Sequence, residues 1–141
     1  MRVSEPHREM YEELEHTADW ALRVQGRDLP ALFVNAALGM MELAGVRTGD
    51  EPGEVRRIEL QAIDKESLLV DWLHELLVAL ELEQLAFREI ELQITGGKKL
   101  VGTFQAVPII SMDKPVKAVT YNELLIQESP DGLEATVVFD V

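Results

Sequence analysis

The stretch "DLPALFVNAALGMMELAG", Asp28 to Gly45, has the period of a helix and almost no polar side. Leu32, Phe33, Val34, Ala36, Ala37, Leu38, Met40 and Met41 run nearly all the way round it. Such a helix has no face to leave in water, so other elements must cover it on more than one side. Its ends are marked as well. Asp28 suits the N-cap, Pro30 falls in the first turn where a missing N–H costs little, and Gly45 is a C-terminal stop.

A second helix is predicted for "DKESLLVDWLHELLVALELEQLA", with Asp64 as N-cap and Lys65 and Glu66 in the first turn. Leu69, Trp72, Leu73, Leu76 and Leu80 form a stripe, while Asp71, His74, Glu75 and Glu81 interrupt the opposite side. It is the more amphipathic of the two helices.

Most of the rest alternates with the period of a strand. In "EHTADWALRV", Trp20, Leu22 and Val24 fall on one side and Ala21 and Arg23 on the other. "VRRIELQA" alternates through Ile58, Leu60 and Ala62, and "REIELQIT" through Ile90, Leu92 and Ile94. "GGKKLVGTFQAVPI" reads as a strand after a turn at Gly96 and Gly97, with Pro108 near its end or on an edge. "KAVTYNELLIQES", a turn at "PDG" and "LEATVVFDV" read as a closing hairpin. "RTGDEPGEVR", Arg47 to Arg56, reads as an exposed loop. The order is strand, strand, helix, strand, helix and four strands, an α+β arrangement whose helices can pack against sheet on both sides. Without an internal repeat, low-complexity tract or long linker, a single domain is expected over residues 1–141.

Composition narrows the function. Apolar residues make up 47% of the chain, which argues against disorder. With no cysteine, thiolate catalysis, zinc–thiolate sites and iron–sulfur ligation are excluded. The segment "MRVSEPHREM" has no apolar core of signal-peptide length and no stretch approaches a membrane span, so a soluble, cytoplasmic protein is expected. The formal net charge of −13, from 26 acidic and 13 basic side chains, repels phosphate backbones, so direct nucleic-acid binding is not expected. That charge either keeps the chain soluble or steers it toward a basic partner or divalent cations.

Three places gather groups that carry chemistry. His16, Thr17 and Asp19 crowd the start of an early strand, as a polar turn or as half of a site. At the chain end "ATVVFDV", Thr136, Val138 and Asp140 point away from Val137 and Phe139, and Val141 adds a free carboxylate after Asp140. Clustered carboxylate oxygens are the ligands that Ca²⁺, Mg²⁺ and Mn²⁺ prefer. If the last strand lies beside the one opened by Asp19, the two Asp residues converge. Asp71, His74 and Glu75 also stand at i, i+3 and i+4, the spacing of a helical metal site and equally of an ordinary solvated face. No GxSxG, P-loop, GxGxxG or HExxH is present.

"HTAD" at His16 to Asp19, the helix pattern "LPALFVNAALGMM", "LLVDWLHELL", "VKAVTYNEL" and the terminal "VVFDV" occur in order over nearly the whole chain. Together they resemble the archease family. The resemblance implies an α+β sandwich with helices between sheets. It also implies a protein cofactor of RtcB-type RNA ligases in tRNA splicing and RNA repair. Such a protein promotes guanylylation of the ligase histidine, with GTP used by the ligase, and sustains multiple turnover. It further implies a divalent metal, Ca²⁺ foremost with Mg²⁺ or Mn²⁺ as alternatives, at Asp19, Asp140 and the Val141 carboxylate. Lys117 in "VKAVTY" matches a basic position near the same site, and His16 and Asp71 match motif positions. After "VTY" the family often carries His, where this chain has Asn122, whose carbonyl oxygen can still serve a hard cation. Two rivals remain, a metal-dependent hydrolase of phosphate esters using the same carboxylates and a chaperone-like binding module.

Overall fold

The computed structural model describes residues 10–15, 19–121 and 124–140. Along the chain these form β1 (Tyr11–Glu15), β2 (Asp19–Gly26), α1 (Leu29–Leu43), β3 (Arg47–Thr48), β4 (Glu54–Gln61), α2 (Lys65–Val78), a π-helical turn (Ala79–Glu83), β5 (Leu85–Thr95), β6 (Lys99–Ser111), β7 (Ala118–Thr120), β8 (Gln127–Ser129) and β9 (Gly132–Asp140). The fold is α+β. The first sheet runs β1-β2-β9-β7, with β8 also on β9. The second is gathered on β6, which pairs with β3, β4 and β5. Every pairing is antiparallel.

The helices lie between the sheets. α1 touches β1, β2 and β9 of one sheet and β5 of the other, and α2 touches β7 and β4 in the same way. This is what the all-round apolar pattern of α1 demands: Leu32, Phe33, Ala36, Ala37 and Met40 are fully buried. α2 buries Leu68, Leu69, Trp72, Leu73 and Leu76 and leaves His74 and Glu75 exposed. The caps form as expected. Asp28 Oδ1 accepts from the Ala31 N–H at 2.9 Å and Asp64 Oδ1 from the Ser67 N–H at 2.7 Å, each satisfying an amide that the helix start leaves without a partner. Gly45 stops α1 with φ +68°.

Trp72 locks the layers together. Its indole N–H donates to the Phe33 carbonyl oxygen of α1, and its ring meets Phe104 of β6 edge-on at 6.4 Å. Phe104 in turn packs edge-on against Phe87 of β5 at 5.0 Å.

Three local expectations are corrected. The second helix does not run on to Ala86: α2 ends at Val78 and a π-helical turn follows. Gln84 then turns left-handed at φ 58°, its amide capping the carbonyls of Leu80 and Glu81. Ala86 and Phe87 are drawn into β5 opposite Val107 and Ala106, so tertiary pairing overrides the helical period. "KAVTYNELLIQES" is not one strand but contains β7 and β8, and before β8 the Ile126 N–H donates to Glu66 Oε2 of α2 at 2.9 Å. The stretch Arg47 to Arg56 holds β3 and the start of β4. Ala21, on the outer side of β2, is fully buried in mid-sheet between β1 and β9.

Among the described residues no helix is long and apolar enough to cross a membrane.

Candidate functional site

β2 begins where β9 ends. Their antiparallel register places Asp19 opposite Asp140, then Trp20 opposite Phe139 and Ala21 opposite Val138. A direct cross-strand pair shares one face of the sheet, so the residues at 19 and 140 stand on the same face at the same corner. This is the convergence on which the sequence-based metal site depends.

The pairing type sets the spacing. The Asp140 carbonyl oxygen accepts from the Lys117 N–H at 2.8 Å, so the backbone polar groups of Asp140 turn toward β7 and away from β2. Asp19 and Asp140 therefore form a non-hydrogen-bonded pair, the type whose Cα atoms approach to about 4.5 Å. The next rung inward, Trp20 with Phe139, is a hydrogen-bonded one. On the other side Ala118 of β7 pairs with Asp140, which brings Lys117 to the same corner. The Asp140 and Lys117 side chains are both exposed.

Asp oxygens are hard donors matched to Ca²⁺, Mg²⁺ or Mn²⁺, so the residue types at this corner suit a divalent ion. His16, Asn122 and Val141 lie outside the described residues. Among the described residues no group of three or more His, Asp or Glu side chains is placed to hold a metal, so Asp71, His74 and Glu75 do not build a metal centre on α2.

Asp71 belongs to a different contact. The Tyr121 hydroxyl, just past β7, donates to Asp71 Oδ1 at 3.4 Å. Partial burial, then the Asp71 charge, then this bond raise the Tyr121 phenol above its ordinary value of 10.0, since all three disfavour phenolate. At the start of α2 the opposite occurs, where the Ser67 N–H holds the Asp64 carboxyl below its ordinary value of 3.8.

Sequence reasoning missed one contact near the acidic corner. Lys114 Nζ lies 4.1 Å from the centroid of the Trp20 ring, a cation–π contact on the residue that follows Asp19. Neither residue has a periodic or motif signal pointing to the other, because ninety-odd positions of chain separate them and only the crossing between sheets joins them.

The description "Archease protein family (MTH1598/TM1083)" belongs to the family model that matches residues 11–141. Among curated relatives, Protein archease of Methanosarcina barkeri is 37% identical over 93% of this chain and 95% of its own length. Protein archease of Thermococcus kodakarensis is 34% identical over 86% of this chain and 91% of its own. Among solved structures, Methanobacterium thermoautotrophicum protein 1598 superposes with a TM-score of 0.71 at 30% identity, over 94% of this chain and 99% of that one. An archease from Thermotoga maritima, described as a possible chaperone, does so with a TM-score of 0.68 at 22% identity, over 100% and 99%, a likeness of fold.

Proposed function

The chain belongs to the archease family, and from that premise we propose that it is a non-catalytic accessory protein that activates an RtcB-type RNA ligase in tRNA splicing and RNA repair. The observation that carries the site is the pairing of Asp19 with Asp140 at one sheet corner, with Lys117 bonded to the same rung. Asp19, Asp140 and the Val141 carboxylate would hold a divalent cation, Ca²⁺ foremost. Bound there, such an ion would offset charge on phosphoryl oxygens of the ligase's GTP.

The chain's own residues have narrower tasks. Asp140, exposed at a strand end, presents its carboxylate outward, where a partner's active site can meet it. Lys117, also exposed, orients an anionic group of the ligase or its nucleotide. The net charge of −13 favours encounter with a basic, RNA-binding partner and is screened by salt.

The test is single-turnover guanylylation of the cognate ligase with and without this protein. Wild type is expected to accelerate formation of the ligase–GMP adduct, and purified, folded Asp19→Ala and Asp140→Ala variants are expected not to. Normal stimulation by both variants would refute the assignment. Turnover of simple phosphate esters by the protein alone, lost in the Asp19 variant, would favour the hydrolase instead.

A further inference from the structure

Asp19 opens β2 and Asp140 closes β9, so their pair is the terminal rung of the sheet. Terminal rungs fray, because a neighbour supports them on one side only. A rung that frays does not keep two carboxylates at a set distance.

The connection from β6 to β7 holds this rung from outside. It leaves the second sheet and fastens to the end of α1, where the Ala44 carbonyl oxygen accepts from the N–H of Asp113 at 2.9 Å and of Lys114 at 3.0 Å. Arg47 reaches Asp113 at 3.8 Å. Gly45 makes the close approach feasible, since a Cβ there would lie 2.5 Å from Asp113 Oδ2. From this anchorage the loop touches both strands of the corner. Lys114 seats its ammonium on the Trp20 ring, and the Lys117 N–H bonds the Asp140 carbonyl oxygen. Trp20 adjoins Asp19 and pairs with Phe139, which adjoins Asp140.

We propose that Lys114 is a positioning residue: seated on Trp20, and acting with the Lys117–Asp140 backbone bond, it clamps the ends of β2 and β9 and keeps Asp19 beside Asp140. This deepens the metal site proposed above and rests on it for its functional meaning. The proposal opposes simple electrostatics. A lysine near an acidic pair repels an incoming cation, so by charge alone its removal tightens metal binding. As a clamp, its removal loosens binding.

Two variants separate these effects in the full chain. Lys114→Met keeps the apolar stem and discards the charge, whereas Lys114→Arg keeps a cation on the ring. Without metal, amide hydrogen exchange at Trp20 and Phe139 is expected to quicken about two- to fivefold in the Met variant and to stay at the wild-type rate in the Arg variant. The thermal midpoint of both variants should remain near that of wild type. In calcium titrations the Kd of the Met variant should rise by about the same two- to fivefold, and Arg should restore it. Unchanged exchange in Lys114→Met, or tighter calcium binding by it, would overturn the clamp. A wild type that binds no calcium would overturn the metal site, and the exchange rates would still decide the clamp.

Discussion

The indole N–H of Trp72 donates to the carbonyl oxygen of Phe33 at 3.0 Å, across the contact between α2 and α1 and with no exposure of the Trp72 side chain. A buried tryptophan needs such a partner, because an unsatisfied N–H in the core costs as much as several apolar contacts return. Trp72→Phe removes the donor and part of the ring that meets Phe104. It should lower unfolding stability by about 2–4 kcal/mol, measured by denaturant melts, with calcium binding at the sheet corner retained. A loss below about 0.5 kcal/mol would mean that the core closes over the smaller ring and that this contact does not lock the layers.

The Asp64 cap gives a pH dependence. Because the Ser67 N–H lowers its pKa in the folded chain below 3.8, its stabilisation is present above that value and disappears as pH falls through the folded pKa. Asn caps equally well and does not titrate. Wild type and Asp64→Asn should therefore match above 3.8 and diverge as pH drops below it, with wild type losing stability that the variant keeps. Parallel acid melts would contradict the cap as a titrating contributor.

At alkaline pH the sign reverses. The Tyr121 phenol is raised above 10.0 in the folded chain, so its contribution is present below that pH and is lost as pH rises through the folded pKa. Tyr121→Phe should change stability by no more than about 0.5 kcal/mol at neutral pH, because the residue is exposed. The sharper readout is tyrosinate absorbance, with the Tyr121→Phe variant as blank. In Asp71→Asn the Tyr121 transition should move to lower pH, since an adjacent negative charge has been removed. No movement would mean that Asp71 does not face the phenol in solution.

Legibility in the sequence follows physical locality. The caps at Asp28 and Asp64 and the stop at Gly45 depend on residues within one turn, and they stand where the pattern puts them. So does the alternation of Ile58 and Leu60 in β4, which the β6 pairing preserves. Elements set by distant partners were less visible. Ala86 and Phe87 continue a helical pattern in sequence, yet the ladder to β6 and the Phe104 ring claim them for a strand. Ile126 continues a strand pattern, yet Glu66, sixty positions earlier, takes its N–H and pulls the chain off the sheet. At the candidate site, the residue types of Asp19 and Asp140 were legible, whereas their juxtaposition is a property of register. The Lys114–Trp20 contact had no local signal at all.

The central claim is that residues 19 and 140 serve one shared ion, which a thermodynamic cycle on calcium binding tests directly. Wild type, Asp19→Asn, Asp140→Asn and the double variant are titrated by calorimetry at moderate salt, where diffuse binding to other acidic side chains is screened. A shared ion predicts one tight site in wild type, its loss in either single variant and no further loss in the double. Single variants that each keep the tight site, or losses that simply add, would contradict it.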